Sequence, residues 1–120
     1  MIEGPRKEEL VEAAIAWLED ASAPVEGFHR KVGANALGIV LRELAQWPAA
    51  EAAAVARMGA ILGREGDYAA LNLALAQALR EGTVSAEDPA VFDHLRRTAL
   101  DTLAIDQPRY RHELSLEAEA

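Results

Sequence analysis

The sequence predicts an all-α protein, a single-domain bundle of about five helices around a long central helix at about residues 25–47. Three observations carry that expectation. Apolar residues recur at helical spacing in successive segments bounded by Gly or Pro, no segment shows the period-2 alternation of a strand, and no internal repeat suggests a solenoid. In the central segment, Phe28, Val32, Gly33, Ala36, Leu37, Ile39, Val40, Leu44 and Trp47 spread over more than half the helical circumference. A helix with one face in water would not look like this, so other helices are expected to cover it from several directions. At 120 residues the chain holds one core and not two. We therefore expect one domain over residues 1–110 and a polar, flexible tail over 111–120.

The elements follow in order. Met1–Gly4 is expected to fray. Pro5 suits a first helical position, and Lys7, Leu10, Val11, Ala14, Ile15, Trp17 and Leu18 form one stripe opposite Glu8, Glu9, Glu12 and Glu19, predicting an amphipathic helix from about Pro5 to Ala21. Ser22, Ala23 and Pro24 end it. The central helix then runs to Trp47, where Pro48, lacking an N–H and biasing its predecessor toward extended backbone, is expected to stop it and start a third helix reaching Leu62. That third helix presents Val55, Met58, Ile61 and Leu62. Gly63 caps its end, and Asp67 caps the start of a fourth helix at Tyr68–Glu81, whose inward stripe is Tyr68, Leu71, Leu75, Ala78 and Leu79. Leu73 falls on the other side and marks a second contact surface. Gly82 ends that helix. Asp88 and Pro89 give a cap and a first residue for a fifth helix, Pro89–Ile105, with Phe92, Leu95, Ala99, Leu100 and Leu103 inward.

Composition excludes several functions. The formal net charge is −8, so the long-range field repels phosphate backbones and anionic headgroups, and neither nucleic acid nor a membrane surface is an expected partner. The chain has no cysteine, which removes disulfides, thiolate catalysis and thiolate metal sites together. With no basic-then-apolar leader pattern and no apolar run of about 18 residues, a cytoplasmic setting is expected. Arg outnumbers Lys ten to two beside abundant alanine, a bias that fits a bacterial source.

Few polar residues interrupt the apolar pattern. His29 and Glu43 share the apolar arc of the central helix, and a buried carboxylate needs a partner because its desolvation is costly. Arg96 sits within the apolar stripe of the last helix, so a Glu43–Arg96 ion pair is expected, structural in role and fixing helix register. His29 has no carboxylate one turn away to make it a general base, and reads as a satisfied core or rim histidine. His94 and His112 fall on the polar side of the last helix and in the tail, so three scattered histidines provide no metal signature and no cofactor is expected. Gly33 and Gly38 have the spacing of a phosphate loop, but Ile39 and Val40 stand where Lys and Ser or Thr are needed. Because glycine costs about 1 kcal/mol against alanine in a helix, these two are expected to let another backbone approach. Lys31, Asn35 and Arg42 line a narrow polar strip, and Arg109, Arg111 and His112 form a small basic knot; both read as solvated.

Several strings together resemble a known family. FHRKVGANALGIVLREL, PAAEAAAVARMGAILGREGDYAALNLALAQALREG and DPAVFDHLRRTALDTLAIDQPRY are similar to a small bacterial family of uncharacterised helical domains, over about Arg6 to Tyr110. The resemblance rests on Phe28, His29, Ala34 to Ala36, Arg42, Glu43 and the closing Pro108, Arg109 and Tyr110, with alanine expected in relatives where this chain has Gly33 and Gly38. It implies company with aminoglycoside-phosphotransferase-like kinases and acyl-CoA dehydrogenases, as neighbours or fusions, and brings no catalytic residue with it.

The leading expectation is a non-enzymatic accessory domain that binds such a partner protein through a helical face. The competing one is a small-ligand or acyl-group-binding domain, or a minor enzyme, with a pocket bordered by His29, Asn35, Arg42, Arg97 and Tyr110. A homodimer that completes its core across a two-fold axis is the third.

Overall fold

A computed structural model describes residues 4–20, 22 and 26–110. The chain is all-α, with α1 at Lys7–Glu19, α2 at Gly27–Leu62, α3 at Tyr68–Glu81 and α4 at Pro89–Asp106, and no strand among the described residues. Backbone at 108–110 is again helical. The expected tail with Arg111 and His112, the fraying of the first three residues, and most of the break around Ala23 and Pro24 lie outside the described residues. Contacts divide the chain into two compact units, Met1–Trp47 and Pro48–Ala120.

The largest correction is to the central helix. It does not stop at Trp47: α2 is one helix of 36 residues with Pro48 inside it. Ending at Trp47 would strand the last carbonyls of one helix and the first N–H groups of the next. Running through Pro48 forfeits a single bond to the Leu44 carbonyl, with a proline cost of about 3 kcal/mol. The alanines at 49, 50, 52, 53, 54 and 56, the strongest helix formers, favour continuation.

In the first unit α1 pairs with the first half of α2. Leu10, Val11, Ala14 and Trp17 are half-buried, but no residue of α1 is fully buried, and Ile15 and Leu18, expected inside, are exposed. The helix is shorter than expected at both ends. Pro5 stands before it, and at its C-terminal end the Asp20 carboxylate accepts from the Ser22 backbone N–H at 2.9 Å and from its hydroxyl at 2.7 Å, which holds the Asp20 pKa below its ordinary value. These bonds turn the backbone away from the helix. On α2 only Val40 and Glu43 of this unit are buried, whereas Phe28, Val32, Leu37, Leu41 and Leu44 are exposed. Phe28, Val32, Leu37 and Leu44 of the expected arc are thus not covered among the described residues.

The second unit has a closed core. Ala54 and Met58 of α2 meet Leu71 and Leu75 of α3, with Val55, Ile61, Leu62, Tyr68, Leu79 and Val84 packed around them. Met58 is completely enclosed. Helix caps set its corners as the sequence predicts. Gly63 takes φ +65° and donates to the Gly59 carbonyl at 2.8 Å; Asp67 accepts from Ala70 N–H at 2.8 Å. Gly82 at φ +81° ends α3, and Asp88 accepts from Ala90 N–H at 2.9 Å with Pro89 as the first helical residue. The start and end of α3 fall on the expected residues.

The last helix is turned from its expected orientation. Val91, His94 and Ile105 are buried and Thr98 half-buried, while Phe92, Leu95 and Ala99 are exposed. Counting apolar residues selects the stripe of Phe92, Leu95 and Ala99. The fold instead buries a stripe that carries polar groups, because a residue of α2 satisfies them.

Candidate functional site

That residue is Arg57. From the half-buried wall of α2 its Nε donates to Nδ1 of His94 at 3.0 Å, and its terminal nitrogen donates to the Thr98 hydroxyl at 3.3 Å. His94 is only 2% exposed, so it sits on the inside and not on the polar side of the helix. Burial disfavours the imidazolium and the adjacent Arg57 charge disfavours it further, so the His94 pKa lies below its ordinary value, with Asp93 pulling weakly the other way. A neutral His94 accepting from a fixed guanidinium is an internally satisfied contact. Burial likewise raises the Tyr68 pKa, with Glu51 adding to it and Arg57 opposing.

In the first unit a groove of about 330 Å³ runs between α1 and α2. Leu10, Ala14 and Trp17 line it from α1, and His29, Gly33 and Ala36 from α2. Its walls are almost wholly apolar. Phe28 and Val32 also line it, yet Phe28 is 71% exposed. The exception to the apolar lining is His29, whose Nδ1 is shielded from solvent without a hydrogen-bond partner among the described residues. The Phe28 and His29 rings meet edge to face, 5.7 Å between centroids. The sequence reading of His29 as a satisfied histidine is therefore corrected: a groove atom here lacks a partner, and that has a cost of about 1–3 kcal/mol unless something supplies one.

Neither Gly33 nor Gly38 has the backbone of another described segment close against it. A Cβ at Gly33 would rest 3.8 Å from the Trp17 ring, an ordinary contact, and one at Gly38 would come 3.1 Å from the Arg42 guanidinium. Close approach to backbone occurs instead at Gly59, where a Cβ would stand 3.1 Å from the Arg64 carbonyl oxygen. That glycine follows from the tight turn after α2, in which both Gly63 and Arg64 N–H groups donate to the Gly59 carbonyl.

Of the residues proposed to border a pocket, His29 lines the groove and Asn35 and Arg42 do not. Asn35 is exposed, and Arg42 lies over Gly38. Arg97 is exposed and paired with Asp93 at 2.8 Å on the surface of α4, and Tyr110 is exposed. Glu43 is 8% exposed, as its place in the apolar arc implies, while Arg96 is exposed. Among the described residues no group of three or more His, Asp or Glu side chains is placed to hold a metal ion, and no helix is long and apolar enough to cross a membrane.

A family model described as "Domain of unknown function (DUF6285)" matches residues 20–110, about three quarters of the chain. The chain belongs to this family. The matched stretch of DUF6285 begins one residue after α1 ends, later than the resemblance from Arg6 suggested, so α1, which forms one wall of the groove, precedes it. No significant match is found among curated proteins or solved structures.

Sequence reading missed the buried Arg57–His94–Thr98 contact. One signal was present: His94 and Thr98 lie at i and i+4 on the same face as Val91 and Ile105. Nothing in the sequence identified Arg57 as the donor that would make this face the inner one.

Proposed function

We propose that this DUF6285 chain is a non-enzymatic accessory domain that binds a partner protein through its second unit. The observation that carries this reading is the apolar surface left on a unit whose core is already closed: Leu73 of α3 is 61% exposed and Phe92 of α4 60%, with Leu95 beside them in exposure. Isolated exposed leucines are ordinary. A phenylalanine and two leucines left outside a completed core are better explained as contact residues, since rings and large aliphatic groups anchor protein interfaces. The partner class comes from the family resemblance: a phosphotransferase-like kinase or an acyl-CoA dehydrogenase in a bacterial cytoplasm. Mixing the purified chain with the kinase encoded beside it, at micromolar concentrations, should give a complex by native mass spectrometry that Leu73→Glu and Phe92→Glu abolish. Absence of a complex with either enzyme class would end this reading.

The groove of the first unit supports a second reading, a small-ligand or acyl-group-binding domain, because one unpartnered polar atom in an apolar trough suits a chain-like ligand with a single hydrogen-bonding end. A stoichiometric small mass retained by the isolated chain would favour it.

A further inference from the structure

We propose that α1 is a displaceable wall: it opens away from α2 as a unit of its own while the core of the second unit stays closed, so the groove exists only while α1 is docked. This concerns the chain's own conformations and depends on neither functional reading.

A matched pair of helices carries the inference. α1 has 13 residues and α3 has 14, lengths at which a helix in water is marginal by itself and depends on what it packs against. α3 buries Leu71 and Leu75, the Asp67 side chain caps its start, and left-handed Gly82 ends it with Arg80 in the last turn. α1 buries no residue and has no side-chain cap at its start. Its last turn holds no basic residue and finishes on Glu19 beside Asp20, carboxylates at the end of a helix where the dipole disfavours negative charge. Glu8 and Glu9 favour the first turn, but they pair with Lys7 and Arg6 at the exposed start of the same helix. Such pairs contribute little, and these do nothing to hold α1 on α2.

The docking surface is equally thin. Leu10, Ala14 and Trp17, the α1 side chains along the groove, include none that is more than half-buried, or only partly so in the case of Ala14, and about 330 Å³ between the helices is unfilled. A gap of that kind forfeits the dispersion contacts that close packing supplies. Opening also admits water to Nδ1 of His29, which is shielded and has no partner among the described residues while the groove is formed. The stretch matched by DUF6285 agrees with this division, since it contains α2, α3 and α4 in full and leaves α1 out.

Native-state hydrogen exchange on the whole chain, in dilute urea, reads both helices in one sample. Backbone amides in the body of α1 should be measurably protected, yet exchange on the order of 100-fold faster than that of Leu75 in α3 after correction for intrinsic rates. Urea should hardly accelerate the α1 opening, because little surface is exposed by it. Trp17→Ala should speed α1 exchange by about tenfold or more and leave Leu75 unchanged. Alanine is the better helix former, so faster exchange in that variant reports lost docking and not lost helix propensity. An α1 that exchanges with the same protection and urea dependence as Leu75 would overturn the proposal, and so would an α1 with no protection at all. Trp17→Ala would overturn it by leaving α1 exchange unchanged or slower, or by accelerating Leu75 by the same factor.

Discussion

The two units solve the same problem unequally. From Pro48 onward, half of α2, α3 and α4 enclose Met58, Leu71 and Leu75, and every corner is set by a capping Asp or a left-handed Gly. Before Trp47, two helices meet through Trp17 and Gly33, leave an apolar trough open, and expose more large apolar side chains than they bury. Composition does not separate them, since both are alanine-rich with few rings. What differs is helix number: a third helix lets the second unit close around its apolar residues, and two helices cannot close around anything.

The contrast makes its largest prediction about truncation. Met58→Ala removes a fully enclosed side chain and should cost about 2–5 kcal/mol, read as a fall in the urea midpoint. Leu18→Ala removes an exposed side chain of α1 and should stay within about 0.5 kcal/mol at concentrations where the chain is monomeric. Comparable losses at the two positions would break the distinction between a closed and an open unit.

Two smaller tests probe α2. The sequence pairs Glu43 with Arg96, and we retain that pairing as a proposal. Glu43→Gln should lower stability by about 1–3 kcal/mol, because it takes the charge from a buried acceptor. A double-mutant cycle with Arg96→Met should give a coupling of about 0.5–3 kcal/mol if the two residues meet, and simple additivity would reject the pair. Pro48→Ala returns an N–H to the Leu44 carbonyl. It should raise stability by about 1–2 kcal/mol, less than proline's full helix penalty because alanine also frees the unfolded chain. A lower melting temperature would mean that the φ fixed by the proline ring at position 48 is itself needed.

Much of the second unit was legible because its signals are local. Asp67, Asp88, Gly63 and Gly82 each act on backbone groups within a few residues, so the ends of α3 and the start of α4 could be read directly. The inward stripe of α3 was legible for the same reason, its apolar side chains having one helical period. Trp47–Pro48 misled because the local rule against proline competes with six nearby alanines and with the carbonyls a break would strand, and the second effect is larger. It is nonetheless where the chain's contacts divide. The orientation of α4 was not legible, since it depends on Arg57, 37 residues from His94 in the chain. In the first unit periodicity identified the apolar arc and wrongly implied its cover; a pattern records which side chains avoid water and not what shields them. The open groove between α1 and α2 lies along that arc.

The smallest effect concerns the contact of Arg57 with His94 inside the closed unit, and it fixes a direction with pH. In the unfolded chain His94 titrates near its ordinary value of about 6.5. In the folded chain burial and the Arg57 charge hold its pKa lower, Asp93 opposing only in part, while Thr98 on the same helix carries no charge. As pH falls below the unfolded value, the unfolded chain takes up a proton that the folded chain resists. Stability from this group is thus fully present above about pH 6.5, and is lost progressively as pH falls through the folded-state pKa. Carboxylates impose their own acid dependence at lower pH, so the observable is a difference. His94→Gln can still accept from Arg57 but does not titrate, and its stability should fall less than that of the parent chain between pH 7.5 and 5.5. Parallel curves for the two proteins would mean that protonated His94 is accommodated, and that the Arg57 contact is looser than a fixed donor and a neutral acceptor.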